Sequence, residues 1–379
     1  MHKVIFGLVL LTTVLLLLSF NASELHLAVN IPPDSLRKIY TKPSNQWPKS
    51  TVDKSVAFKE LGILPPSSLD LNNLSTSKIV ELGRLLFFDP RLSAADKISC
   101  ASCHAPSLHW SDGKVVSLGH NDAPNTRNSP SLENVWSLNR LFWDGRAESL
   151  EQQAEGPLTS KIEMHQDMKV LPKKLKKIRG YQRYFRNAFG DGEITNERIF
   201  KSLAEFQRTI VSDKTAFDRF LEGDKNSLTD KQLVGLHLFR TKARCMNCHY
   251  GPLFTDNEFH NLGLTNYGEK NEDLGLYNIT KKPADIGKFK TPGLRNVMRT
   301  GPWFHNGLVG DMDVIMNLYN EGMPTPTVKP GQENDPLLPK NDRLLRGLML
   351  SRSEKEAIVA FLHAITTLPL KHEIPVLPK

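Results

Sequence analysis

Cysteine is scarce in this chain: its 379 residues include four. All four fall in two short clusters, so none remains for a structural disulfide or a lipid anchor. Stretches of period-two alternation are few, which argues against a sheet-built core. The apolar run from Val4 to Leu18 falls short of the roughly 20 residues that span a membrane. Preceded by Lys3, it reads instead as a secretory signal. Residues 1–22 are therefore expected to be a signal peptide. Because Ser19-Phe20-Asn21-Ala22-Ser23 lacks a clean A-x-A cleavage pattern, an uncleaved N-terminal anchor stays open. Either way the body of the chain is expected outside the cytoplasm. The formal net charge is +8, yet no nucleic-acid-binding motif accompanies it, so nucleic acid is not an expected partner.

The two clusters are Cys100-Ala101-Ser102-Cys103-His104 and Cys245-Met246-Asn247-Cys248-His249. C-x-x-C-H is the attachment signature of c-type haem. Each cysteine pair adds across the two vinyl groups of one haem, and the histidine that follows supplies an imidazole to the iron. A thioredoxin-like C-x-x-C has no need of a histidine directly after it. A zinc site needs four suitably spaced ligands, and the nearest extra cysteine is more than a hundred residues away. Two covalently held haems are the reading, with His104 and His249 as proximal ligands.

Length suggests two domains, one per haem. Residues 23–70, rich in Pro, Ser, Asn and Lys, read as an irregular arm. Helical periodicity begins at Thr76, with Ile79, Leu82, Leu85 and Leu86 on one face, and Asp89-Pro90 ends it. A second helix is expected from Thr229, where Thr229 and Gln232 form a capping box, and a third from Ser351, with Glu354 three positions on. Long Gly- and Pro-rich loops lie between. The expectation is an all-α chain of two tandem cytochrome c-like haem domains with long loops, residues 71–225 and 226–379. Lys169, Lys173, Lys174, Lys176, Lys177, Arg179, Arg183 and Arg186 crowd one stretch. It reads as a solvated helix face, with a docking patch for an acidic electron-transfer partner as the alternative.

The two halves repeat one another beyond the cysteines. Gly83 precedes Phe87 as Gly235 precedes Phe239. Ser129-Pro130-Ser131-Leu132-Glu133-Asn134-Val135 matches Thr291-Pro292-Gly293-Leu294-Arg295-Asn296-Val297, and Phe142-Trp143-Asp144-Gly145 matches Phe304-His305-Asn306-Gly307. Differences between the copies should mark where the two haems differ in their work.

These blocks, with Leu82-Gly83-Arg84, Phe88-Asp89-Pro90-Arg91-Leu92-Ser93, Arg127-Asn128-Ser129-Pro130 and Lys290-Thr291-Pro292, resemble the bacterial di-haem cytochrome c peroxidase family, including its MauG-like branch. The match runs from about Glu81 to Leu368 and leaves the arm before Lys59 outside. The resemblance implies a peroxide site at the N-terminal haem and an electron-relay haem in the C-terminal half. It implies hydrogen peroxide as substrate, a small donor such as cytochrome c or a cupredoxin, a periplasmic location, and admits a homodimer. Ten residues separate Trp143 from Gln153 and ten more separate Gln153 from Glu163. By that family-like spacing Glu163 is the expected acid/base, Gln153 its polar partner and Trp143 the bridge between haems. His120 resembles a loop histidine that in some members caps the first haem and swings away on partial reduction. A calcium ion between the domains would take Asn128 and the carbonyls of Thr300 and Pro302. His260 and His305 sit in family blocks without an assigned role.

The sixth ligands decide the work of each iron, since a six-coordinate iron transfers electrons and an open one binds peroxide. Laying Gly307 on Gly145 sets Tyr319 opposite Pro157. Proline cannot ligate iron and tyrosinate can, so the first haem is expected open and the second capped by Tyr319. Met316, three residues earlier on a similar helical face, is the alternative cap. The peroxidases proper carry methionine at the Tyr319 position and the MauG-like branch tyrosine. Three functions follow in order: a peroxidase fed by a small redox protein, a MauG-like oxidase of a protein or small molecule, and a non-enzymatic di-haem electron carrier.

Overall fold

The computed structural model describes residues 31–67 and 69–379. The expected signal peptide or anchor lies outside the described residues. Among those described, no helix is long and apolar enough to cross a membrane. The chain is helix-rich. In order its α-helices are α1 Pro33–Tyr40, α2 Leu74–Phe88, α3 Leu150–Thr159, α4 Leu171–Lys176, α5 Arg179–Phe189, α6 Asn196–Arg208, α7 Ala216–Leu221, α8 Asp230–Arg240, α9 Tyr277–Thr280, α10 Met312–Asn320 and α11 Arg352–Ala364. Two three-residue strands, β1 Phe259–Asn261 and β2 Lys288–Lys290, pair antiparallel with Phe259 opposite Lys290.

The capping boxes at Thr229 and Ser351 form as expected and start α8 and α11. Helix α2 begins two residues before the expected point, because the Asn73 side chain accepts from the Ser75 and Thr76 N–H groups. The arm is less irregular than its composition suggests. Helix α1 buries Leu36 and Tyr40, and Trp47 and Leu61 follow them into the core of the second half. Eight residues are too few to give a periodic signal, so tertiary packing makes this helix. The buried Arg240 clasps the arm through Glu60, the Tyr40 hydroxyl and the Pro48 carbonyl. The basic run becomes α4 and α5. Lys174 pairs with Asp96, and the remaining cations of the run are exposed.

Side chains gather in two clusters, one from Ile79 to Ile210, the other from the arm and Phe217 to Ile365. The repeat persists inside them. Phe87 packs tilted against Phe206 at 5.2 Å between centroids, and Phe239 packs edge-on against Phe361 at 5.4 Å. Helix α2 crosses α6, and α8 crosses α11, each at a glycine. A Cβ on Gly83 would stand 1.9 Å from the Ser202 carbonyl oxygen, and one on Gly235 would stand 1.9 Å from that of Ala357. Neither neighbour can yield without moving a helix. Gly235→Ala should therefore destabilise by at least the roughly 1–3 kcal/mol of an overpacked core. Gly83→Ala should do the same. Thermal denaturation of the haem-loaded protein checks both, and an unchanged midpoint would mean the crossings have slack.

Candidate active site

Both C-x-x-C segments are single 3₁₀ turns, Cys100–Ser102 and Cys245–Asn247, each closed by a backbone bond onto the first cysteine's carbonyl. The first turn is tightened by Ser99 and Ser102. The second is held by the arm, where the Asp53 N–H donates to Asn247 Oδ1 and Asp53 binds Arg244. No cysteine is in a disulfide. The histidine after each turn is fixed in the same way. His104 Nδ1–H donates to the Trp110 carbonyl at 3.0 Å, and His249 Nδ1–H donates to the Phe254 carbonyl at 2.9 Å. That bond sets the tautomer and leaves Nε2 free to ligate a metal. Burial lowers the pKa of both imidazoles, which favours the neutral, ligating form.

Both motifs open on one continuous cavity of about 500 Å³. All four cysteines contribute to its wall, and both histidines line it. Four thiols in two vinyl-spaced pairs, two imidazoles presenting Nε2 and an apolar wall fit two c-type haems.

On the first half of the wall, α3 places Gln153 and Pro157 one turn apart, so both face the cavity. The turn after α3 brings in Glu163, half-buried, whose Oε1 accepts from Asn125 Nδ2 at 2.6 Å. Asn125 arrives on the loop from Ser117, which presses against the Glu163 turn. The His120 N–H donates to the Glu163 carbonyl at 2.7 Å. A Cβ on Gly119 would meet the Ile162 carbonyl oxygen at 2.0 Å, so this approach requires glycine. His120 itself is not part of the cavity wall. Its ring meets His165 edge-on at 4.7 Å, and its Nδ1 is buried without a hydrogen bond. The left-handed residues that follow, Asn121 and Asp122, belong to the turn that sets its direction.

On the second half, α10 places Met312, Met316 and Tyr319 along the wall. Tyr319 and Met316 are thus both within the cavity lining. Burial raises the Tyr319 phenol, so it is neutral unless a cation stands against it.

Between the halves, Trp143 lines the cavity and its Nε1 donates to the Asn128 carbonyl at 2.9 Å. Asn128, Thr300 and Pro302 also reach the wall, and Asn128 Nδ2 donates to the Lys114 carbonyl at 2.8 Å. Across the seam Arg127 joins Asp144 of the first half to Asp273 of the second. His305 stacks on Phe289 with ring centroids 3.6 Å apart, and burial pushes its imidazole down to about 4. His260 is held between Asp256 at 2.8 Å and Asp342 at 2.6 Å. Burial opposes its charge, but the two carboxylate hydrogen bonds outweigh that and push it up to about 12.

Sequence reasoning missed Asn125, the carbonyl-supplying Trp110 and Phe254, and the clasp of the arm on the second turn. Asn125 had a signal, since it lies in the same Gly-containing loop as His120.

Comparison with known proteins agrees with this geometry. Residues 77–226 match the di-haem cytochrome c peroxidase family. The cytochrome-c peroxidase IdrP1 of Pseudomonas sp. (strain SCT) is 34% identical over 352 residues, covering 85% of this chain and 90% of its own. The methylamine utilization protein MauG of Methylorubrum extorquens is 37% identical over 309 residues, covering 81% and 83%. The crystal structure of a MauG-like protein associated with microbial copper homeostasis superposes with a TM-score of 0.71 at 29% identity, covering 80% of this chain and 93% of its own.

Proposed function

The chain belongs to the di-haem cytochrome c peroxidase family, and from that premise we propose how its two halves divide one reaction. The protein is an oxidoreductase of the cytochrome-c peroxidase type, reducing hydrogen peroxide to water with electrons from a small redox protein such as cytochrome c. The carrying observation is that both C-x-x-C-H histidines, Glu163 and Tyr319 share the wall of one cavity.

In this reading residues 71–225 and 226–379 are two tandem cytochrome c-like domains. Cys100, Cys103 and His104 would hold the peroxidatic haem, and Cys245, Cys248 and His249 would hold the relay haem. When bound, these haems supply the open iron where peroxide is reduced and a store for one of the two electrons it needs. The residues do the rest. Pro157, on the cavity wall, has no side-chain group able to ligate iron and would leave the first site open to peroxide. Glu163 takes a proton from the incoming peroxide and returns one to the departing oxygen, at the oxygen that Asn125 does not hold. Gln153, on the same wall, orients the peroxide by hydrogen bonding. Trp143 carries electrons across the seam. Tyr319 would be a ligand to the second haem, with Met316 as the alternative. Calcium at Asn128 Oδ1 and the Thr300 and Pro302 carbonyls would lock the halves together. His120, turned toward His165 and off the cavity wall, would in this arrangement leave the first site without a loop ligand. The periplasm is the proposed location and a homodimer the proposed assembly.

Haem-loaded protein should consume one peroxide for every two reduced cytochromes oxidised, because the reaction takes two electrons and two protons to two waters. Stopped-flow mixing with ferrous cytochrome c measures that ratio. Peroxide consumption without cytochrome oxidation would overturn the reading in favour of a MauG-like oxidase, which the tyrosine at position 319 makes the second candidate.

A further inference from the structure

The seam between the halves is nearly symmetrical, and one charged residue breaks it. The register that lays Gly307 on Gly145 pairs Lys290 with Asn128 and His305 with Trp143. The backbone bonds follow that symmetry. The Asn128 N–H donates to the His305 carbonyl at 2.8 Å, and the Lys290 N–H donates to the Trp143 carbonyl at 2.9 Å. The side chains do not. The Asn128 amide is spent on the Lys114 and Val115 carbonyls. The Lys290 side chain lines the cavity, and its ammonium has no hydrogen bond or ion pair among the described residues.

Lys290 is half-buried, and an ammonium partly withdrawn from water without a carboxylate is costly. Here burial acts on it unopposed and pushes it down to about 8. The arginines of the same wall are all satisfied. Arg127 and Arg146 share Asp144, Arg244 and Arg346 share Asp53, and Arg295 binds Asp218. Lys290 is thus the one lysine or arginine among the described wall residues without a protein carboxylate. The groups that would share its cavity carry carboxylates of their own, the haem propionates.

We propose that Lys290 is the counter-ion of a haem propionate at the seam and raises the midpoint potential of that haem. The proposal rests on the two-haem reading above. A fixed positive charge disfavours ferric iron more than ferrous, so it stabilises the reduced haem. The same residue donates its N–H to the carbonyl of Trp143. It therefore anchors the bridge and sets the driving force for an electron crossing it. Lysine suits this place better than the arginines around it, since one compact ammonium answers one carboxylate oxygen.

The test is spectroelectrochemical titration of haem-loaded Lys290→Met and Lys290→Arg beside the unaltered protein, with haem counted by pyridine haemochrome. Two haems per chain in the unaltered protein upholds the premise, and fewer would sink the premise itself. With both haems present, Lys290→Met should lower one midpoint potential and leave the other in place, while Lys290→Arg restores it. A Lys290→Met protein that fails to load haem where Lys290→Arg loads it fully also supports a need for charge. Two unchanged potentials in fully loaded Lys290→Met, or equal failure of both variants to load, would overturn the assignment.

Discussion

Glu163→Gln should lose about 10²–10⁴-fold of peroxide turnover, the range that a positioned general acid–base group contributes. That is about 2.7–5.5 kcal/mol of transition-state stabilisation. The substitution is chosen to keep shape. A glutamine oxygen can still accept from Asn125 Nδ2, which now reaches Glu163 Oε1 at 2.6 Å. It also leaves the carbonyl that receives the His120 N–H untouched. What disappears is the capacity to hold and release a proton. Peroxide needs that proton moved from its inner to its outer oxygen before the bond between them breaks to water. Haem content, the ferric spectrum and the thermal midpoint should stay as they are, and only steady-state peroxide reduction with ferrous cytochrome c should fall. Glu163→Asp, which keeps a carboxyl but withdraws it by one methylene, should fall between the two. A Glu163→Gln protein with undiminished kcat/KM would remove this residue from the chemistry and pass the proton-carrying role to another group on the wall.

The parts of this site legible in the sequence are those set by short-range chemistry. Haem attachment needs two thiols for the thioethers and an imidazole for the iron at fixed local spacing, so both C-x-x-C-H segments could be named as candidate anchors from the residues alone. Capping boxes are equally local, and Thr229 and Ser351 start their helices where the pattern places them. The repeat was legible because two copies in one chain calibrate each other, down to the paired crossings at Gly83 and Gly235. What stayed hidden depends on distant partners or on backbone atoms. The carbonyls of Trp110 and Phe254 orient His104 and His249, and any residue type has a carbonyl to offer. Asn125 meets Glu163 only because a loop folds across 38 positions. Helix α1 forms by packing onto α8, not by its own pattern. His120 shows the remaining limit. Its distance along the chain from His104 suits a haem ligand, but the direction of a side chain in a turn is set by φ at its neighbours, which spacing does not encode.

The asymmetry of the repeat points to the second large effect, at Tyr319. Exchanging it for methionine should raise the midpoint potential of the second haem by on the order of 100 mV or more, a modest part of the ~0.8 V that axial ligands span. An anionic phenolate oxygen stabilises ferric iron, whereas a neutral thioether favours ferrous iron. At about 59 mV per tenfold for one electron, such a shift changes the reduced-to-oxidised ratio at a given poise by about fiftyfold or more. The geometry permits the exchange, since Met316 and Tyr319 both already line the wall from α10, and a methionine at 319 would reach it from the same backbone position. Burial holds the free phenol neutral, so deprotonation at working pH would have to come from a haem iron brought against it. The consequence for function follows the sign. A second haem held ferric by Tyr319 stores an electron poorly, so cytochrome oxidation should be slower in the unaltered protein than in Tyr319→Met. Tyr319→Phe should remove the ligand and change the ferric spectrum of that haem alone. If Tyr319→Phe leaves that spectrum intact while Met316→Leu alters it, the cap is Met316, the second haem is poised as an electron store, and the reading as a cytochrome-fed peroxidase becomes stronger than the oxidase alternative.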